Sequence, residues 1–325
     1  MKVKFIKRVL LSCLFSVALL STGCSRKALE QSYEWSERDF VLPSNQEEIS
    51  GRASGFASGL CVIGPDQQWD ETGVSAEAAA VFDCFDKQVI FGKNAFERLY
   101  PASITKVMTA LVAIKYGNLD DVVTVTPEAV ITEPGATLCG IQPGDTLTLE
   151  QLLYGLMLPS GNDAGAAIAV HISGSIEAFA ELMNQEAKAL GATGTHFMNP
   201  HGLTDPEHYT TAYDLYLIFN EALKLPKFRE VTGSTAYAAN YTNGAGEPVS
   251  KEWKGGNWFM TGERPTPEGL TVFGGKTGTT SAAGYCLIMA SRDSAQKEYI
   301  SVVLKAGSRP GLYDNMTEII QKIVN

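Results

Sequence analysis

Ser103 and Lys106 stand three residues apart in the string Ser103-Ile104-Thr105-Lys106. On a helix that spacing puts the hydroxyl and the amine on one face, within hydrogen-bonding reach. A serine hydroxyl is a poor nucleophile at neutral pH and needs a base. A lysine amine serves as that base once burial or a second cation lowers its pKa. Lys106 lies in a segment with apolar residues around most of its circumference, so partial burial is expected. The start of a helix also offers free backbone N–H groups to a developing oxyanion. The same spacing recurs at Ser294-Ala295-Gln296-Lys297, in a polar turn between two predicted strands, where a solvated surface is the natural reading.

Two further groups carry suitable chemistry. Ser160-Gly161-Asn162 follows Pro159, which stops a helix. Its structural reading is a turn, with Asn162 or Asp163 capping the next helix. Its functional reading has Ser160 relaying a proton and Asn162 holding Lys106 and a substrate amide. In Gly274-Gly275-Lys276-Thr277-Gly278-Thr279 the glycines are unusual for a strand and mark close approach by another backbone. A peptide can pair along such an edge. Lys276 with the Thr277 and Thr279 hydroxyls suits a carboxylate, whereas a plain hairpin edge is the structural alternative. A phosphate loop fails, because Leu270 stands where its first glycine belongs.

The combination is more specific than its parts. Ser103-x-x-Lys106, Ser160-x-Asn162 and Lys276-Thr277-Gly278 follow the order of a three-part acyl-serine signature. Around them stand Leu99-Tyr100-Pro101-Ala102, Pro159-Ser160-Gly161-Asn162-Asp163-Ala164, Asn199-Pro200-His201-Gly202-Leu203 and Gly275-Lys276-Thr277-Gly278-Thr279-Thr280. With these strings, residues 78–303 resemble the low-molecular-weight penicillin-binding proteins, the serine D-alanyl-D-alanine carboxypeptidases. The resemblance implies that Ser103 attacks the carbonyl between the last two D-alanines of a peptidoglycan stem pentapeptide. Lys106 would take its proton, Ser160 would pass one to the leaving D-alanine, and Asn162 would orient the chain. Backbone N–H groups of Ser103 and Thr279 would form the oxyanion hole. Lys276 and Thr277, on the strand with Gly278, would hold the terminal carboxylate. β-Lactams would acylate Ser103. No cofactor is implied.

These residues need a helix, a loop and a strand to hold them. Residues 78–82 and 89–91 read as a hairpin. Residues 103–116 form the clearest helix, with Ile104, Val107, Met108, Leu111 and Val112 at helical spacing. A helix from Thr148, with a Thr148/Gln151 capping box, runs to about Leu158. Further helices are expected over 163–171, 176–190 and 212–225, strands over 271–277, 285–290 and 299–304, and a last helix over 311–324. Strands at both ends and helices between predict an α+β fold. It is a mainly antiparallel sheet flanked by helices with a helical subdomain, of the serine β-lactamase/penicillin-binding transpeptidase type.

The chain has 325 residues and a formal charge of −10, which argues against a nucleic-acid partner. Lys2, Lys4, Lys7 and Arg8, then the apolar run 9–20, then Ser21-Thr22-Gly23-Cys24, read as an export signal too short to span a bilayer. The end of this segment resembles a bacterial lipoprotein signal, although Ser21 replaces the usual aliphatic residue. Cleavage before Cys24 and its lipidation would anchor the protein outside the cytoplasmic membrane. Residues 1–23 are therefore expected to be a signal peptide, 24–52 a lipidated cysteine and polar tether, and 53–325 one catalytic domain. Attachment is expected at this end, since the chain stops at Asn325 without the further β-rich domain and amphipathic helix many family members carry. No cysteine or histidine spacing suits a metal. Cys61 and Cys84 either pair or remain buried thiols. His201 either shapes the cleft or fixes its loop. The rivals to a carboxypeptidase are a DD-endopeptidase with the same residues, a class A-like β-lactamase and a non-catalytic wall-peptide-binding lipoprotein. A β-lactamase is disfavoured because no E-x-x-L-N string lies between Asn162 and Lys276.

Overall fold

The computed structural model describes residues 59–64 and 67–324, so the expected signal, Cys24 and the tether lie outside the described residues. Strands β1 (Ala78–Asp83) and β2 (Gln88–Lys93) form the expected hairpin. A 3-10 turn, Ala102–Thr105, leads into helix α1 (Lys106–Tyr116). After the short strands β3 (Val122–Thr124) and β4 (Thr146–Thr148) come α2 (Leu149–Met157), α3 (Asn162–Ser173) and α4 (Ile176–Ala189). Helices α5 (Ala212–Ala222) and α6 (Pro226–Gly233) precede the hairpin β5 (Ala236–Thr242) and β6 (Pro248–Lys254). Strands β7 (Thr271–Thr280), β8 (Gly284–Arg292) and β9 (Glu298–Ala306) and helix α7 (Arg309–Gln321) complete the fold.

The main sheet has the order β2-β1-β9-β8-β7 and is antiparallel throughout. Its strands alternate with period two, but both faces are apolar because both are covered. Ala79, Val81, Leu287, Met289 and Val303 pack against α7 through Leu312, Tyr313, Met316, Ile319 and Ile320. Ala78, Ala80, Phe82, Ile288, Ala290, Ile300 and Val302 face the helical core built around α1, α2, α3 and α5. Helix α1 is the centre of that core: every residue from Lys106 to Ala113 is buried. The two segments of strands joined into one sheet and the α+β class thus agree with the sequence reading.

Three expectations change. The middle of the chain is not purely helical, because β3-β4-β5-β6 form a second antiparallel sheet. The helix expected over 212–225 is present but ends at Ala222, and a further helix that was not expected opens at Pro226 after an extended Leu225. Neither Asn162 nor Asp163 caps α3; Gly161 is the cap residue and makes no side-chain bond. The capping box of Thr148 and Gln151 is present on α2. Cys61 and Cys84 are free thiols, as are Cys139 and Cys286, which resolves the open alternative against a pair.

Candidate active site

Ser103 sits on the 3-10 turn rather than on the α-helix proper, and Lys106 is the first residue of α1. The turn is forced into shape from two sides. Ala102 has φ 48°, a left-handed conformation that an alanine adopts only when its surroundings impose it. Gly202 approaches so closely that a Cβ there would lie 1.9 Å from the Ala102 carbonyl oxygen. Gly278 abuts the other side, where a Cβ would lie 2.9 Å from both Pro101 O and Ser103 N. Strand β7 therefore lies directly against the backbone that carries the nucleophile, as the glycines in its sequence suggested.

Lys106 is 0 % exposed. Its Nζ lies 2.9 Å from Ser103 Oγ, 2.7 Å from Asn162 Oδ1 and 2.8 Å from His201 O. The last two can only accept. A neutral amine has two N–H bonds for those two acceptors and one lone pair for the third neighbour, the serine O–H. Burial pushes the Lys106 pKa well below that of a free lysine; the nearby Lys276 cation pushes the same way, while Asp163 opposes it. The site thus favours the protonation state that can receive a proton from Ser103.

Ser160 stands in the α2–α3 loop with φ 63°, again left-handed. Lys276, 2 % exposed on β7, reaches across to it: Nζ lies 2.9 Å from Ser160 Oγ and 2.9 Å from Thr277 O. Burial lowers the Lys276 pKa to about 7. Asn162 is placed by its N–H, which donates to Thr137 O at 2.8 Å. Asp163 is 1 % exposed and accepts from the N–H groups of Cys139 (2.9 Å), Gly140 (2.7 Å) and Ile141 (3.2 Å). It ties the start of α3 to the loop opposite. The second sheet backs that loop, since Trp253 Nε1 donates to Cys139 O at 3.0 Å and Lys251 Nζ to Gly140 O at 2.6 Å.

His201 contributes its main-chain carbonyl; burial lowers its imidazole pKa to about 3, so it is neutral. Thr109 Oγ1 donates to Pro200 O at 2.6 Å, and His208 lies 2.8 Å from Thr105 Oγ1, both fastening this loop to the turn and α1. The structure brings Ser103, Lys106, Ser160, Asn162, Lys276, Thr277, Gly278 and Thr279 to one cleft. Ser294 is exposed, and Lys297 pairs with Asp86 at 2.5 Å, far from any such cluster.

The cleft extends to both sides of Ser103. One arm, about 240 Å3, is lined by Ser160, Lys254, Thr277, Thr279 and Arg309. The other, about 580 Å3, runs past Glu133, Asn162, His201, Thr204 and Thr280. Arg309, the loop-bracing role of Asp163 and the His201 carbonyl escaped the sequence reading. Only Asp163 left a signal, an acidic residue inside the middle string.

Residues 66–308 match the family described as D-alanyl-D-alanine carboxypeptidase, Peptidase_S11. Over 241 residues the chain is 34% identical to the D-alanyl-D-alanine carboxypeptidase DacF of Bacillus subtilis, covering 73% of this chain and 59% of that one. It is 34% identical over 267 residues to DacC of Escherichia coli, covering 79% and 63%. The chain thus spans about three fifths of the length of these relatives. The crystal structure of the Streptomyces K15 DD-transpeptidase superposes with a TM-score of 0.71 at 31% identity, covering 77% of this chain and 97% of that one.

Proposed function

The chain belongs to the D-alanyl-D-alanine carboxypeptidase family, and from that premise we propose that it removes the terminal D-alanine from peptidoglycan stem peptides through an acyl-enzyme on Ser103. The observation that carries the reading is the Lys106 amine, held by two obligate acceptors with the serine hydroxyl as its third neighbour. Ser103 Oγ attacks the carbonyl carbon of the last peptide bond, and its proton passes to Lys106 Nζ. The negative charge on the carbonyl oxygen faces the backbone N–H groups of Ser103 and Thr279. The C–N bond breaks as Ser160, hydrogen-bonded to Lys276, delivers its proton to the leaving nitrogen and is restored by the proton that Lys106 took, which returns Lys106 to the neutral amine. Water then attacks the ester, with Lys106 again the base, and releases the shortened peptide.

The terminal carboxylate belongs in the smaller arm. Thr277, Thr279 and the exposed Arg309 line it, and among the described residues no ion pair is recorded for Arg309. β-Lactams, which carry a carboxylate beside a reactive amide, fit the same arrangement and acylate the same oxygen. The acyl-enzyme is shared by hydrolysis, by cross-link cleavage and by transfer to an amine, so the acceptor and leaving group distinguish these reactions. The basic, apolar and small-residue N-terminus supports export, and Cys24 supports a lipid anchor on the outer face of the membrane. With residues 53–325 as the catalytic domain, this leaves 24–52 as the tether.

Intact mass after penicillin treatment, followed by D-alanine release from a D-Ala-D-Ala peptide, tests the reading. One stable adduct on Ser103 and released D-alanine are expected, with both lost in Ser103→Ala. Rapid drug hydrolysis without a lasting adduct would instead indicate a β-lactamase, and neither adduct nor turnover a binding protein.

A further inference from the structure

The two arms of the cleft differ in charge. In the smaller arm, Arg309 is a cation with no ion pair among the described residues, Lys254 is paired with Glu252 at 2.8 Å, and Lys276 of β7 reaches the lining residue Ser160 at 2.9 Å. In the larger arm, Glu133 is the one formal charge among the described lining residues, because His201 is neutral. Glu133 is exposed, and among the described residues no cation pairs with it. It stands at the head of the segment Glu133-Pro134-Gly135, with the Ala136 N–H donating to its carbonyl, so the backbone there is a tight turn. Thr137, four residues on, lines both arms, so the same loop spans the cleft above Ser103.

The polarity fixes which way a peptide lies. Resting on the carboxypeptidase reading, the terminal carboxylate occupies the cationic arm and the scissile carbonyl lies over Ser103. The rest of the peptide must then enter the larger arm. An extended chain advances about 3.3 Å per residue. The residue before the two D-alanines is therefore the first to place its whole side chain in that arm. The volume, about 580 Å3, is of the size that accepts a small ligand.

We propose that Glu133 is a specificity-determining residue that selects peptides bearing a side-chain ammonium on the residue immediately before D-Ala-D-Ala. The carboxylate meets that ammonium in a partly solvated arm, so the preference is modest and salt-sensitive. It acts on binding before the chemistry, and is expected in KM more than in kcat.

The test compares N-acetyl-Lys-D-Ala-D-Ala with its amine free, acetylated or succinylated, by D-alanine release from the full chain. The native protein is expected to favour the free amine over the acetylated one by about three- to fivefold in kcat/KM at low salt. That ratio should fall to near one in Glu133→Gln and persist in Glu133→Asp. Glu133→Lys should instead favour the succinylated peptide, a reversal that loosening of the loop would not produce. Equal rates for the free and acetylated peptides in the native protein, or an unchanged ratio in Glu133→Gln, would overturn the inference and leave the carboxypeptidase reading standing. No D-alanine from any of the three peptides would overturn both.

Discussion

Two lysines share this site and are not interchangeable. Both are buried, and burial lowers both, but only Lys106 also feels the other lysine's charge. As a base, Lys106 works only when neutral, so acylation is lost as pH falls through its folded pKa. Replacing Lys276 with methionine removes a neighbouring cation, which lets the Lys106 pKa rise. The acid limb of the penicillin acylation rate is therefore expected to move to higher pH in Lys276→Met, on top of a loss in rate. A stopped-flow pH profile checks this, and an unmoved limb would mean the two lysines do not communicate. In the native protein, Lys276 carries its charge below about pH 7 when the cleft is empty. Affinity for a terminal carboxylate should weaken above that pH, seen as a rising KM. At this scale the sequence was readable where chemistry resides in side chains at short spacing. Ser103 and Lys106 announce themselves, and their partners Ser160, Asn162 and Lys276 follow from the order of the motifs. The His201 carbonyl that accepts from Lys106 was hidden because it is a backbone group, and every residue has one.

The elements around the site are braced from a distance. Asp163 collects N–H bonds from three residues of the loop that passes opposite Asn162, and the β5–β6 hairpin supports the same loop through Trp253 and Lys251. Tyr237 of that hairpin stacks on Tyr154 of α2 at 3.8 Å, so the brace extends to the helix preceding Ser160. Asp163→Asn keeps the shape but gives up charge-assisted bonds. A loss of about 2 kcal/mol in unfolding free energy is expected by urea denaturation. The acylation rate should fall as well, because Asn162 is the next residue. Full stability in this variant would show that the loop needs no carboxylate. The second sheet was the main feature missed from the sequence. β3 and β4 have three residues each, too few for a period to register. The hairpin was missed as well, although it left a signal: Tyr237, Ala239 and Tyr241 alternate, and the turn Asn243-Gly244-Ala245-Gly246 separates them from β6. The long helices and the three last strands were readable because they carry enough residues to repeat their pattern.

On the scale of the whole molecule, the formal charge is −10, so electrostatics do not hold this protein to an anionic membrane. With Cys24 proposed as the lipid anchor, Cys24→Ser is expected to shift the protein from the membrane to the soluble fraction. Unchanged fractionation would remove Cys24 as the anchor. The fold class was evident from the order of strands and helices, but which strands neighbour one another was not. That order has a consequence in time. β1 sits between β2 and β9, with Ala78 opposite Leu304, so an early strand waits for nearly the last one. β7, which carries Lys276 to Thr279, is held in the sheet through β8 and β9. A growing chain cannot assemble the cleft piecemeal: until β9 has emerged, Ser103 has no opposing strand. The cleft is therefore expected to form in one late step, after β9 has joined the sheet. A fragment that ends before β9 should have no more reactivity toward penicillin than an ordinary serine.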